Sequence, residues 1–268
     1  MASRSCLLYY YKHSGAVMNP NFEINRDGNN IRCKLYCSDT NAVSKVIIFC
    51  HGFGGHKDNR AAEKFAERVL TKYKGVAVVC FDWPAHGDDV RKKLQLSDCD
   101  AYLTLLLAFI HERYRPDALY AYGTSFGGYL LLKYISEHGN PFVKIALRCP
   151  AVDMYRALIE SIMNPDILEH LNKGKEASVG FDRKVHINKQ FLEELRNADI
   201  RKRDFIPFAD DILILHGTKD EIIPIEDSLS FCENNVIEFE PIQNTDHRFT
   251  DPKTMEQAIK LILNFFDM

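Results

Sequence analysis

No run of 18 consecutive apolar residues occurs in this 268-residue sequence, so no transmembrane helix is expected. Neither charge sign dominates: 34 Lys and Arg stand against 37 Asp and Glu, a net charge of −3. That balance supplies no general attraction to nucleic acid or to an anionic membrane surface. Internal repeats and low-complexity tracts are missing. So is any Cys-x-x-Cys pair or other metal-ligand spacing, and neither a metal nor a cofactor is expected. The N-terminal run Cys6–Tyr11 is too short and too polar for the core of a signal peptide, which points to a cytoplasmic protein. Residues 1 to about 20 are expected as an edge strand or a mobile arm.

Cysteine is present eight times but without a disulfide framework. Cys50, Cys80 and Cys149 end or interrupt apolar runs, where a free thiol behaves as a small hydrophobe. Cys33 and Cys37 would lie roughly 13 Å apart along a strand, too far for a bridge. Reduced, structural cysteines are expected.

What is there suits an ordinary globular chain, 46 % hydrophobic and 26 % charged. A chain of this length buries about three quarters of its unfolded surface, so its core needs no staples. Phe22–Arg26 and Ile31–Ser38 alternate around Asp27-Gly28-Asn29-Asn30 and predict a hairpin. Short apolar runs follow at Val46–Cys50, Val76–Phe81, Ala118–Tyr122, Lys144–Arg148, Ile212–Leu215 and Val236–Phe239. They suit strands buried on both faces. Helical patterns lie between and after them, at Arg60–Lys72, Asp98–Arg113, Phe126–Glu137 and Met255–Phe266. The alternation predicts an α/β fold with a mostly parallel, mixed sheet and helices on both faces. It breaks at Asp153, and residues 153–208 read as a helical lid or cap insertion. Residues 1–152 and 209–268 form the core.

The strongest chemical signal is Gly123-Thr124-Ser125-Phe126-Gly127-Gly128, set between a buried strand and an apolar helix. That is the context a nucleophile elbow needs. A serine hydroxyl requires a base to take its proton. Of ten histidines, His247 fits best, in a polar loop after the last strand. The base requires an acid to hold its tautomer. Asp220 is that candidate, just beyond the strand Ile212–Leu215, with Glu221 and Asp153 as alternatives. An oxyanion needs amide donors. Phe126 supplies one, and Phe53 in His51-Gly52-Phe53-Gly54-Gly55 the other, with Gly54 as its alternative. Trp83, Met154 and Leu158 are candidate substrate-binding residues: Trp83 ends the next strand, and the other two lie on an apolar stripe of the insertion.

Taken in order, HGFGG (51–55), FDWPAHGD (81–88), GTSFGG (123–128), HGTKD (216–220) and DH (246–247) resemble the α/β-hydrolase superfamily. The resemblance runs across nearly the whole chain from about residue 22. It is nearest to small bacterial carboxylesterases and cinnamoyl (feruloyl) esterases with a helical insertion, a plan shared by monoacylglycerol-lipase-like proteins. It implies a Ser125–His247–Asp220 triad with oxyanion donors at Phe53 and Phe126. Thr124 stands where many esterases of the family carry His. The expected activity is cofactor-free hydrolysis of a small-molecule carboxylic ester through an acyl-enzyme. A thioesterase or acyltransferase, or a small serine peptidase, remains the alternative, and a non-catalytic binding module stands furthest from the motifs.

Overall fold

The computed structural model describes residues 20–90 and 92–268. The expected N-terminal arm therefore lies outside the described residues. Eight strands form one sheet in the order β1-β2-β4-β3-β5-β6-β9-β10. β1 (Asn21–Arg26) and β2 (Asn29–Cys37) pair antiparallel, and β2 pairs antiparallel with β4 (Val76–Phe81). β3 (Lys45–Cys50), β5 (Ala118–Thr124), β6 (Lys144–Arg148), β9 (Ile212–Gly217) and β10 (Glu238–Ile242) complete a parallel array with β4. The predicted hairpin forms with Arg26 opposite Asn29, leaving Asp27 and Gly28 as a two-residue turn. Both have positive φ (52° and 77°), as a turn matched to the twist of the strands requires.

Successive strand side chains point to opposite faces, and each face has its own core. Val46, Ile48, Val79, Ala121, Leu147 and Ile214 pack toward α2 (Leu96–Tyr114) and α3 (Phe126–His138). Ile47, Phe49, Val78, Tyr122, Ala146 and Leu215 pack toward α1 (Arg60–Lys72) and α8 (Pro252–Phe266). α1 begins with Asn59 accepting from the Ala62 amide, and α8 with Asp251 accepting from that of Lys253. The seven described cysteines are all buried and free.

Between β6 and β9 the chain leaves the sheet. It forms α4 (Met154–Ala157), a π-helical turn at Leu158–Ile162, α5 (Pro165–Asn172) and α6 (Lys189–Asn197). It also forms a short antiparallel hairpin, β7 (Ala177–Val179) with β8 (Val185–Ile187), inside the insertion that was expected to be helical. Three-residue strands are too short to show a period of two. A further helix, α7 (Ile225–Asn235), lies where no helix was predicted. Its one sequence signal is Pro224 followed by Glu226 and Asp227 in the first turn. Val236, expected to open the last strand, instead caps α7 in the left-handed region at φ 59°. No helix among the described residues is long and apolar enough to cross a membrane.

Candidate active site

β5 runs out at Thr124, and the chain turns into α3 at Phe126 through Ser125. Ser125 holds φ 50° and ψ −116°, a conformation costing about 1–3 kcal/mol that persists only where its surroundings enforce it. Its side chain caps no amide of α3. The enforcement comes from glycine. A Cβ on Gly127 would lie 2.3 Å from the Cys50 carbonyl oxygen, so only glycine lets α3 sit against the end of β3. The Ser125 amide donates to the Arg148 carbonyl at 3.0 Å, tying the turn to β6.

The loop after β9 carries Asp220, whose side chain is fully buried. Oδ1 accepts from the amides of Ile222 (2.9 Å) and Ile223 (2.8 Å). Oδ2 lies 2.7 Å from His247 Nδ1 and 3.0 Å from His216 Nε2. Burial alone would raise the Asp220 pKa. The bonds from His216 and His247 outweigh it and hold the carboxyl far below the usual carboxylate range. An ionised oxygen facing Nδ1 assigns the proton of neutral His247 to that nitrogen and leaves Nε2 as the basic one. The His247 amide donates to Glu221 at 3.3 Å, so Glu221 steadies the loop while Asp220 holds the ring. Asp153, the other alternative acid, caps α4 and pairs with Arg201.

A cavity of about 580 Å³ opens over Ser125 and His247, and Phe53 and Ile162 line it too. Phe126 is buried beside Ser125, with its ring edge-on to that of Phe53 at 5.7 Å. Thus Ser125, His247 and Phe53 share one cavity, with Asp220 behind His247.

Trp83, Met154 and Leu158 are placed otherwise than expected: all three are buried in the core and none lines this cavity. Trp83 Nε1 donates to the His51 carbonyl, and the Trp83 amide to His51 Nε2. Trp83 therefore fixes the glycine loop that carries Phe53. Met154 and Leu158 anchor the insertion on the body. An apolar stripe shows that a face is buried, but not against what. From the insertion, the wall is made by Ile162 and by Phe181, Asp182 and Arg183 at the tip of the β7–β8 hairpin. Sequence reasoning missed the hairpin residues, and it missed the two residues that touch the site from beneath, His216 and Arg148.

Two clusters bring possible metal donors within 4.8 Å: Cys149 with His216 and Asp220, and Asp100 with Glu137 and His138. The first is already knit by the bonds to Asp220. The second is a surface ion-pair cluster with Lys133 and Arg203. Neither needs an ion to be satisfied.

The chain belongs to the α/β-hydrolase fold family, whose model matches residues 45–181. It is 27 % identical over 179 residues to monoacylglycerol lipase abhd6-A of Xenopus laevis, across 66 % of this chain and 49 % of that protein. The chain thus spans about half the length of the curated relatives it matches. Among solved structures, Est1E from Butyrivibrio proteoclasticus with ferulic acid bound superposes with a TM-score of 0.69 at 19 % identity. That match covers 92 % of this chain and 99 % of Est1E. A putative hydrolase from Agrobacterium vitis S4 superposes at 0.70 with 17 % identity, covering 94 % and 99 %. At such identities the likeness is one of fold.

Proposed function

We propose that this protein is a serine hydrolase of carboxylic esters, with Ser125 as nucleophile, His247 as base and Asp220 as the acid that orients it. The observation that carries the reading is the strained Ser125 elbow in the same cavity as His247, whose Nδ1 is held by a buried, ionised Asp220. His247 Nε2 takes the hydroxyl proton as Ser125 Oγ attacks the ester carbonyl. The amides of Phe53 and Phe126 receive the oxyanion. His247 returns the proton to the leaving alcohol, then activates water to release the acid. Residues 153–208 act as a lid over this site, and the cavity suits a medium acyl or aryl ester. The enzyme works without a cofactor, on a small molecule, in the cytoplasm.

The test is a panel on wild type and Ser125→Ala: 4-nitrophenyl esters of rising chain length, methyl ferulate, a monoacylglycerol, an acyl thioester and a peptide anilide. Ester turnover is expected to fall by roughly 10⁴- to 10⁶-fold in the variant. Ester turnover that survives Ser125→Ala would sink the mechanism. Preference for the thioester or the anilide would move the protein to a neighbouring reaction of the same triad.

A further inference from the structure

The lining of the cavity over Ser125 carries more arginine than carboxylate: Arg60, Arg148, Arg183 and Arg248 against Asp58 and Asp182. Arg148, the last residue of β6, is only 7 % exposed. Among the described residues no carboxylate lies within 4 Å of its guanidinium. Its contacts include the Phe249 ring, 5.0 Å away, and Met255 Sδ, 3.4 Å from Nη1. Its Nε is buried with no hydrogen-bond partner. On the same face of the sheet, the buried Tyr122 hydroxyl lies against the guanidinium, a neutral neighbour that brings no counter-charge. A buried guanidinium is costly unless something pairs with its charge and its planar donors.

The surroundings do not supply that partner. Arg60, in the first turn of α1, lines the same cavity with Ala61, where the helix N-terminus adds partial positive charge. The two carboxylates in the lining are engaged elsewhere. Asp58 is paired with Lys34 and Lys57. Asp182 is paired with Arg248. Arg183 reaches the lining from the hairpin.

We propose that the substrate ester carries an oxyanion group, a carboxylate or a phosphate, and that Arg148 with Arg60 at the α1 N-terminus binds it. The inference rests on the ester-hydrolase reading and names its substrate class. The planar fork of Arg148 suits two-point binding of such a group. Ser125 and Arg148 are joined through the backbone at 3.0 Å, so a bound anion would set the position of the ester relative to the nucleophile.

Two matched pairs test this. The first is 4-nitrophenyl hexanoate against the mono-4-nitrophenyl ester of adipic acid, which differs by a terminal carboxylate on the acyl side. The second is monobutyrylglycerol against its phosphate monoester, charged on the alcohol side. Wild type should favour the anionic member of one pair by about 10- to 100-fold in kcat/KM, the range of a charge-assisted bond. The favoured pair tells an acyl-side carboxylate from an alcohol-side phosphate, and titration with adipate and with phosphate separates the two groups. Arg148→Met should abolish most of the preference. Arg60→Gln, on the surface, should lower it by about 3- to 10-fold and decides the matter if Arg148→Met fails to fold. No anionic preference in wild type, or one that survives both substitutions, overturns the proposal while leaving neutral-ester hydrolysis intact. Calorimetric titration with adipate and with inorganic phosphate reads the subsite without turnover. Saturable binding that is lost in the variants supports the subsite even if no ester is cleaved, and then only the ester reading fails. The absence of both binding and preference refutes the subsite.

Discussion

Asp220 Oδ2 has two histidine nitrogens within 3.0 Å, and they play different parts. His216 Nε2 also faces the Ile223 carbonyl at 3.1 Å, and its Nδ1 meets Ser228 Oγ at 2.9 Å. Two acceptors on Nε2 assign its proton there, so neutral His216 donates to Asp220 and accepts from Ser228. It is a positioning residue: it holds the acid while His247 uses it. Asp220→Asn should lower kcat by about 10⁴-fold on the serine-protease precedent, through the wrong His247 tautomer. His216→Phe should lower kcat about 10-fold with KM little changed, and should displace the acid limb of the pH–rate profile. His216→Gln, which keeps a donor near the Nε2 position, should restore much of both. An equal fall in kcat for Phe and Gln with an unmoved pH profile would mean that His216 only fills space. His216 stands four residues before Asp220 in plain sight, yet nothing local tells that the loop folds back and brings them together.

At the scale of elements, legibility followed the length of the pattern. α1 has a full helical stripe and a capping Asn59, and its predicted bounds match those observed. α7 mixes exposed Leu229 with buried Phe231 and Cys232, so its period was too weak to read. The β7–β8 hairpin is shorter still, and its tip brings three residues of the insertion to the cavity. Its tip depends on Gly180 at φ 127°, where a Cβ would lie 2.6 Å from the Arg183 carbonyl oxygen. Arg248 pairs with Asp182 and stacks on Phe181, joining the tip to the His247 loop. Gly180→Ala should cost about 1–3 kcal/mol locally. Hydrogen exchange should quicken across residues 177–187, while protection in β3, β5 and β9 stays unchanged. Loss of protection throughout the sheet would show that the hairpin is part of the global folding unit.

For the whole molecule, two buried histidines set the acid stability. Burial lowers the pKa of both His51 and His86 to about 3, against 6.5 for the free side chain. Below pH 6.5 the unfolded chain binds protons that the folded chain refuses, so stability falls as pH drops from 6.5 toward 3. At pH 5 this amounts to about 2 kcal/mol for each histidine. Asp220 acts in the same direction, starting once the pH enters the ordinary carboxylate range and continuing below it. Denaturant unfolding should therefore show stability declining already between pH 6.5 and 5. His86→Asn, which can keep the donor to the Pro84 carbonyl, should flatten that slope by about half. A slope the same as wild type would mean that His86 takes up its proton in the folded protein.

The order of the core strands and the longer helices was legible in the sequence alone, and so was the candidacy of Ser125, Asp220, His247 and Phe53 for the site. Each depends on short-range features: alternation along a strand, a stripe along a helix, a glycine turn between them. Sheet order, and the facing of side chains far apart in the chain, depended on tertiary structure. Asp220 and His247 are 27 residues apart and meet because β9 and β10 pair in parallel. Trp83 turned inward to brace a loop, and Met154 and Leu158 packed the insertion down, because burial rewards any apolar surface they meet. Arg148 reads in sequence as the polar end of a strand. Only the packing of α8 and the His247 loop around it leaves a buried charge with no carboxylate within 4 Å among the described residues.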